Sequence, residues 1–142
     1  MKAIRFQDPE DLSVQFSCRD ADSERYPAVL VAAFAADIPD GSAGKAWGVA
    51  ITRHTLAALA TFQPLALLLD FRGLSYHWGD SLLGVYQAVE EYLGEPGREF
   101  PIVTVVSDRS SGLRSLLAGD LAVFEDFEQA LQAAGDLADS EE

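Results

Sequence analysis

This chain is poor in the residues that carry recognisable chemistry. A lone cysteine, Cys18, cannot form an internal disulfide and has no ligand pattern around it, so the expected setting is a reducing compartment. Only two histidines, His54 and His77, are present, and there is no Gly-x-Ser-x-Gly elbow to mark a nucleophile. Basic residues are scarce as well: 10 Lys and Arg stand against 23 Asp and Glu, giving a formal charge of −13. Gripping phosphates needs Lys and Arg, so nucleic acid and anionic membrane are excluded as partners and a basic protein is favoured. The opening MKAIRFQDPEDL has no apolar signal core, and the longest apolar runs, such as Ala28 to Ala36, are too short to span a bilayer. The expectation is a cytoplasmic protein.

What is present is apolar material. With 142 residues and 49% hydrophobic content, the chain can bury one core and has no room for two. Leu12, Val14, Phe16 and Cys18 alternate, as in a half-exposed strand. AVLVAAFAA (Ala28 to Ala36) reads as a central strand, closed by Pro39 and Gly41. A helix is predicted from about Ser42 to Phe62, with Trp47, Ile51, Ala58 and Phe62 on its inner side and Leu56 and Leu59 widening the stripe. After Pro64, Leu65 to Asp70 forms the third strand. Leu82, Val85, Tyr86, Val89 and Leu93 keep helical spacing, which with Asp80 as N-cap and Gly94 as stop predicts a helix over Ser81 to Leu93.

Beyond an exposed GEPGREF loop, PIVTVVS (Pro101 to Ser107) is a fourth strand. Leu113, Leu116 and Leu117 mark a short helix closed at Gly119, and Leu121 to Phe124 is a short strand. Asp126 and Gln129 resemble a capping box ahead of a last helix with Phe127, Ala130, Leu131 and Ala134 inward. Residues 1–135 are read as the domain and 136–142 as an acidic tail that frays. The order β-β-α-β-α-β-α-β-α predicts an α/β domain, with about four helices on a mixed, mostly parallel sheet.

Two segments, LALLLDFRGLSYHWGDSLLGVYQAV and LAVFEDFEQALQAA, resemble the STAS domain family, the sulfate-transporter and anti-sigma-factor-antagonist domains. The resemblance spans about Leu12 to Ala134 and implies a single STAS-like α/β domain, a non-enzymatic module that binds an anti-sigma factor or kinase-like regulator. The family's regulatory serine lies in an Asp-Ser-Ser-Gly-Leu stretch at the start of the second helix. A gapless match from Asp70 sets Trp78 and Gly79 on that Asp-Ser pair. Two extra loop residues set Asp80 and Ser81 there instead, with Leu82-Leu83-Gly84 replacing Ser-Gly-Leu.

The partner surface is accordingly expected at Tyr76, His77, Trp78, Asp80, Ser81 and Leu82, with Ser81 the candidate phosphorylation site. A phosphate on Ser81 would gain from the dipole of a helix N-terminus but meet the Asp80 carboxylate. The three rings suit an interface anchor, unless one folds back as core. Other constellations are thinner. Asp70 and Asp108 both follow strands and would have to share a cleft to hold Mg²⁺, the histidines would need to reach Ser81 or Ser107 to act as base, and Gly41, Ser42 and Gly44 beside Lys45 make a weak phosphate loop. No catalytic residue, metal or cofactor is expected. Two other readings remain: an acidic inhibitor or immunity protein masking a basic partner, and a small hydrolase or phosphoryl-transfer enzyme built on Asp70, His77 and Asp108.

Overall fold

A computed structural model describes residues 1–20, 27–117 and 122–140. Their strands are β1 (Ser13–Asp20), β2 (Pro27–Asp37), β3 (Ala66–Ser75), β4 (Ile102–Val105) and β5 (Ala122–Phe124), and their helices are α1 (Lys45–Phe62), α2 (Leu83–Leu93), α3 (Ser111–Leu116) and α4 (Phe127–Ser140). The five strands form one sheet in the order β1-β2-β3-β4-β5, with β1 antiparallel to β2 and the other pairs parallel. Mixed α/β with a mostly parallel sheet is thus the architecture found. The expected helix closure at Gly119 and the expected strand start at Leu121 fall outside the described residues.

Strict alternation along the strands divides the core into two layers of different grain. Leu30, Ala32 and Phe34 of β2 and Leu67, Leu69 and Phe71 of β3 join Ile51, Leu59, Val85 and Val89 from α1 and α2 on one face. Phe34 meets Phe16 of β1 edge-on, with ring centroids 6.4 Å apart, and Phe71 at 6.1 Å. On the other face Val29, Val31, Leu68, Val103 and Val105 lie under Ala130, Ala134 and Ala138 of α4, all but Val31 fully buried. Their four-residue spacing puts three methyl groups on one stripe, so α4 lies close to the sheet. This stripe corrects the expectation of a frayed tail after Ala134: the helix runs to Ser140 because Ala138 continues the buried row. Its start is as expected, with the Gln129 N–H donating to Asp126 Oδ1 at 2.9 Å.

Two further boundaries differ from expectation. The third strand does not end at Asp70. The pairing of Ala33 with Asp70 and of Ala35 with Gly73 places one extra residue on β3, a bulge, after which Leu74 is buried and Ser75 pairs with Asp37. Gly73 is required by crowding, since a Cβ there would stand 2.8 Å from that of Ala35. The helix predicted from Ser42 begins as a 3-10 turn over Gly41–Gly44 before α1, and its inner side excludes Phe62, which is 44% exposed.

Candidate functional site: the loop between β3 and α2

The extension of β3 carries the chain to the sheet end, where main-chain bonds pin the loop to α3. The Tyr76 N–H donates to the Arg109 carbonyl and the Gly112 N–H to the Tyr76 carbonyl, each at 3.0 Å. Gly112 admits no side chain, because a Cβ would lie 2.1 Å from the His77 carbonyl oxygen. From this anchor the three rings part company. Tyr76 is 1% exposed and belongs to the core, His77 is exposed, and Trp78 is 62% exposed.

Trp78 sits on Gly41. The Gly41 N–H donates to the Trp78 carbonyl at 3.1 Å, and a Cβ on Gly41 would stand 2.8 Å from the indole ring. Gly41 adopts φ +61° and Gly79 φ +128°, a backbone region that side chains disfavour. These two glycines approach so closely that a Cβ on Gly79 would be 3.2 Å from both the Gly41 nitrogen and the Tyr76 hydroxyl.

Beneath this contact lie two buried hydroxyls, Tyr76 Oη and Ser81 Oγ, neither with a hydrogen bond of ordinary geometry. Burial pushes the Tyr76 phenol above its usual pKa; nearby Ser81 offsets part of that shift, while Asp80 and Asp40 add to it. Ser81 is pressed against the first turns of α1, since a Cβ on Gly44 would be 3.3 Å from its Oγ and one on Gly48 2.3 Å from its carbonyl oxygen. Gly48 was not anticipated as part of the site. The signal was present in the spacing of Gly44 and Gly48, which puts two smooth positions on one helix face.

Three expectations about this loop need correction. Asp80 does not cap the second helix with its carboxylate: α2 begins two residues later than predicted, Leu82 holds the N-cap position, and the Asp80 main-chain carbonyl accepts from the Leu83 N–H at 3.0 Å. The bond from Val85 N–H to the Leu82 carbonyl, at 3.2 Å, tightens the first turn in the same way. Leu82 and Tyr76 cannot meet a partner directly, because they are 0% and 1% exposed. Ser81 Oγ, the candidate phosphoacceptor, has no solvent access in this geometry.

An open apolar groove of about 810 Å³ continues from the loop between α1 and α2, over Val49, Leu56, Leu83 and the bare backbone of Gly84. Lys45 and Asp80 stand along it. Phe6, from the N-terminal segment, reaches its rim under the Arg53 guanidinium, 4.8 Å from the ring centre. Asp8 ties that segment to α1 through Arg53 and through His54 Nε2 at 2.7 Å.

The other candidate constellations are occupied by internal bonds. Asp70 accepts from Arg72 Nε at 2.9 Å, Nη2 at 2.8 Å and the main-chain N–H at 3.2 Å, and the guanidinium stacks 4.7 Å from the Phe127 ring. Those bonds raise the Arg72 pKa further. Asp108 is exposed in the short 3-10 turn Asp108–Ser110. Ser107 Oγ donates to the Arg72 carbonyl at 2.7 Å. Ser81 Oγ has no histidine within bonding distance, and His54 is held by Asp8. The Gly41 N–H, which a phosphate loop would aim at its ligand, goes to Trp78. No cluster of three or more metal-binding side chains, and no helix long and apolar enough to cross a membrane, occurs among the described residues.

A bulged, mostly parallel sheet with α1 and α2 on one face and α4 on the other gives this chain a STAS-like α/β fold, from which the loop before α2 projects an aromatic ring. Comparison with solved structures agrees. The structure titled "Structure of the Anti-Sigma Factor Antagonist SpoIIAA in its Unphosphorylated Form" superposes with a TM-score of 0.51 at 15% identity, over 85% of this chain and 96% of that one. The likeness is one of fold. No protein-family model matches the sequence, and no curated protein matches it.

Proposed function

We propose that this chain is a non-enzymatic regulatory module, resembling an anti-sigma factor antagonist, which docks a protein partner through Trp78, His77 and the exposed edge of the loop before α2. The observation that carries this reading is the Trp78 ring: it is 62% exposed yet held in place by the Gly41 contact. An aromatic side chain presented with little conformational freedom is the typical anchor of an interface. Asp80 lies beside it on the rim, and the apolar groove extends the surface along α1 and α2. Tyr76, Ser81 and Leu82 shape that surface from beneath.

The fold shared with an anti-sigma factor antagonist favours an anti-sigma factor or kinase-like regulator as partner, and the charge of −13 favours a basic face on it. A single cysteine suits a cytoplasmic setting. Phosphorylation of Ser81 fits only if the loop first lifts from α1, because a phosphate has no room beside Gly44. The test is to purify the protein with its native partner and compare wild type with Trp78→Ala. Loss of the complex in a variant that keeps wild-type unfolding behaviour supports the proposal; retention of the complex at unchanged affinity removes the loop from the docking surface.

A further inference from the structure

The docking loop also hides a nucleophile. Two buried hydroxyls lie together here, Tyr76 Oη and Ser81 Oγ, neither with a hydrogen bond of ordinary geometry, and poorly satisfied polar burial is unfavourable. The Ser81 residue is only half-buried while its Oγ is sequestered, so a small displacement is enough to expose it. The turn at Gly41–Gly44 lies against the pair, with Gly44 close to Ser81 Oγ and Gly41 close to Gly79, where a Cβ would stand 3.2 Å from Tyr76 Oη. What holds the turn down is Trp78, by one main-chain hydrogen bond of 3.1 Å and by its ring on Gly41. The holder is thus an exposed ring of the loop, and the held state carries a poorly satisfied polar burial that opening would relieve.

We infer that Trp78 and Gly41 form a latch which keeps Ser81 Oγ inaccessible, and that a partner gripping the Trp78 ring releases it. Access to Ser81 then follows docking: a resting molecule presents no hydroxyl for modification, and an engaged one does. The trigger rests on the proposed docking role of Trp78, whereas the latch is a property of the isolated chain and is tested without any partner.

A cysteine at position 81 reports the latch directly. In a Cys18→Ser, Ser81→Cys background, which removes the exposed native thiol, reaction with 5,5′-dithiobis(2-nitrobenzoate) is followed in buffer and in urea. The latch predicts that the native thiol reacts roughly 100-fold more slowly than the unfolded one, and that adding Trp78→Ala speeds the native reaction roughly tenfold, as for a local opening made easier. Tyr92→Ala, which removes an exposed ring from the far end of α2, should leave the rate unchanged and so separates release of the latch from general loosening. Because a thiol is larger than a hydroxyl, amide hydrogen exchange at Gly41 and Gly79 to Leu82 is measured in parallel with Ser81 intact, and Trp78→Ala should accelerate it there and not in β3. A native thiol as reactive as the unfolded one, or Trp78→Ala without effect on both rate and exchange, overturns the latch. Partner binding lost in Trp78→Ala with no change in Ser81 access would sink the latch while leaving the docking surface intact.

Discussion

Two loop regions at the same end of the sheet treat their polar groups in opposite ways. Around Asp70, Arg72 and Ser107 every group has a partner: the carboxylate takes three hydrogen bonds from one arginine, the arginine stacks on Phe127, and Ser107 binds the Arg72 carbonyl. A few residues further on, Tyr76 and Ser81 bury neighbouring hydroxyls that lack a hydrogen bond of ordinary geometry, while Trp78 stands out into solvent. Saturated groups hold a bulged strand in shape. Poorly satisfied ones under an exposed ring are the geometry on which the proposed docking role rests.

The sharpest way to break this contrast is to empty the loop from below. Leu82→Ala should destabilise the protein by about 3 kcal/mol, since a fully buried leucine leaves a cavity; a change under about 1 kcal/mol would mean that the start of α2 is loosely packed. At the other site, Arg72→Ala removes both guanidinium bonds and leaves a nearly buried carboxylate with only the main-chain N–H of residue 72 as donor. With the Arg72 side chain 44% exposed and solvent able to replace part of its role, the expected loss is about 2 kcal/mol in urea unfolding. A neutral result there would deny that the Asp70 region is a structural clamp.

Removing single hydroxyls sharpens the comparison further. Tyr86→Phe breaks the buried 2.6 Å bond to Thr104 and should lose about 1 kcal/mol, whereas Tyr76→Phe deletes an unpartnered hydroxyl and should be neutral or slightly stabilising. Equal losses would show that Tyr76 Oη is satisfied after all. Burial raises the pKa of both phenols. The unfolded chain therefore ionises them first, near pH 10, and their protonated fold loses stability as pH rises above that value.

The smallest expected effect is acidic. Asp11 accepts from the Asp37 N–H at 2.8 Å and Trp47 Nε1 at 2.9 Å, which hold its carboxyl below the usual range. Its stabilising contribution is complete above the unfolded carboxylate pKa and disappears as pH falls through the lowered folded one. Asp11→Ala should thus lower Tm slightly at pH 7 and leave it unchanged at pH 2; an equal decrease at both would point to packing.

Much of the fold was legible because periodicity and burial coincide in it. Val29, Leu67, Leu69, Val103 and Val105 could be placed inside from the sequence, and all are fully buried. The extension of β3 was not legible, because Arg72, Gly73 and Ser75 look like a turn until the bulge lets Leu74 return to the core. Nor was the end of α4, where the acids on the outer face mask the Ala130, Ala134 and Ala138 row. Within the site, composition named the rings but could not sort them. Tyr76 and Trp78 sit two apart, and only the closeness of Gly41, Gly79 and Gly112 sends one inward and the other out. Asp80 looked like a cap because its residue type favours that role, yet the tight first turn uses main-chain carbonyls instead.

Trp78→Ala tests the central claim most directly when unfolding and partner affinity are measured on the same preparation. The account predicts a stability change within about 1 kcal/mol, as for an exposed side chain, together with an affinity loss of about 2 kcal/mol or more. A stability loss of about 3–5 kcal/mol with unchanged affinity would make Trp78 a core residue and contradict it.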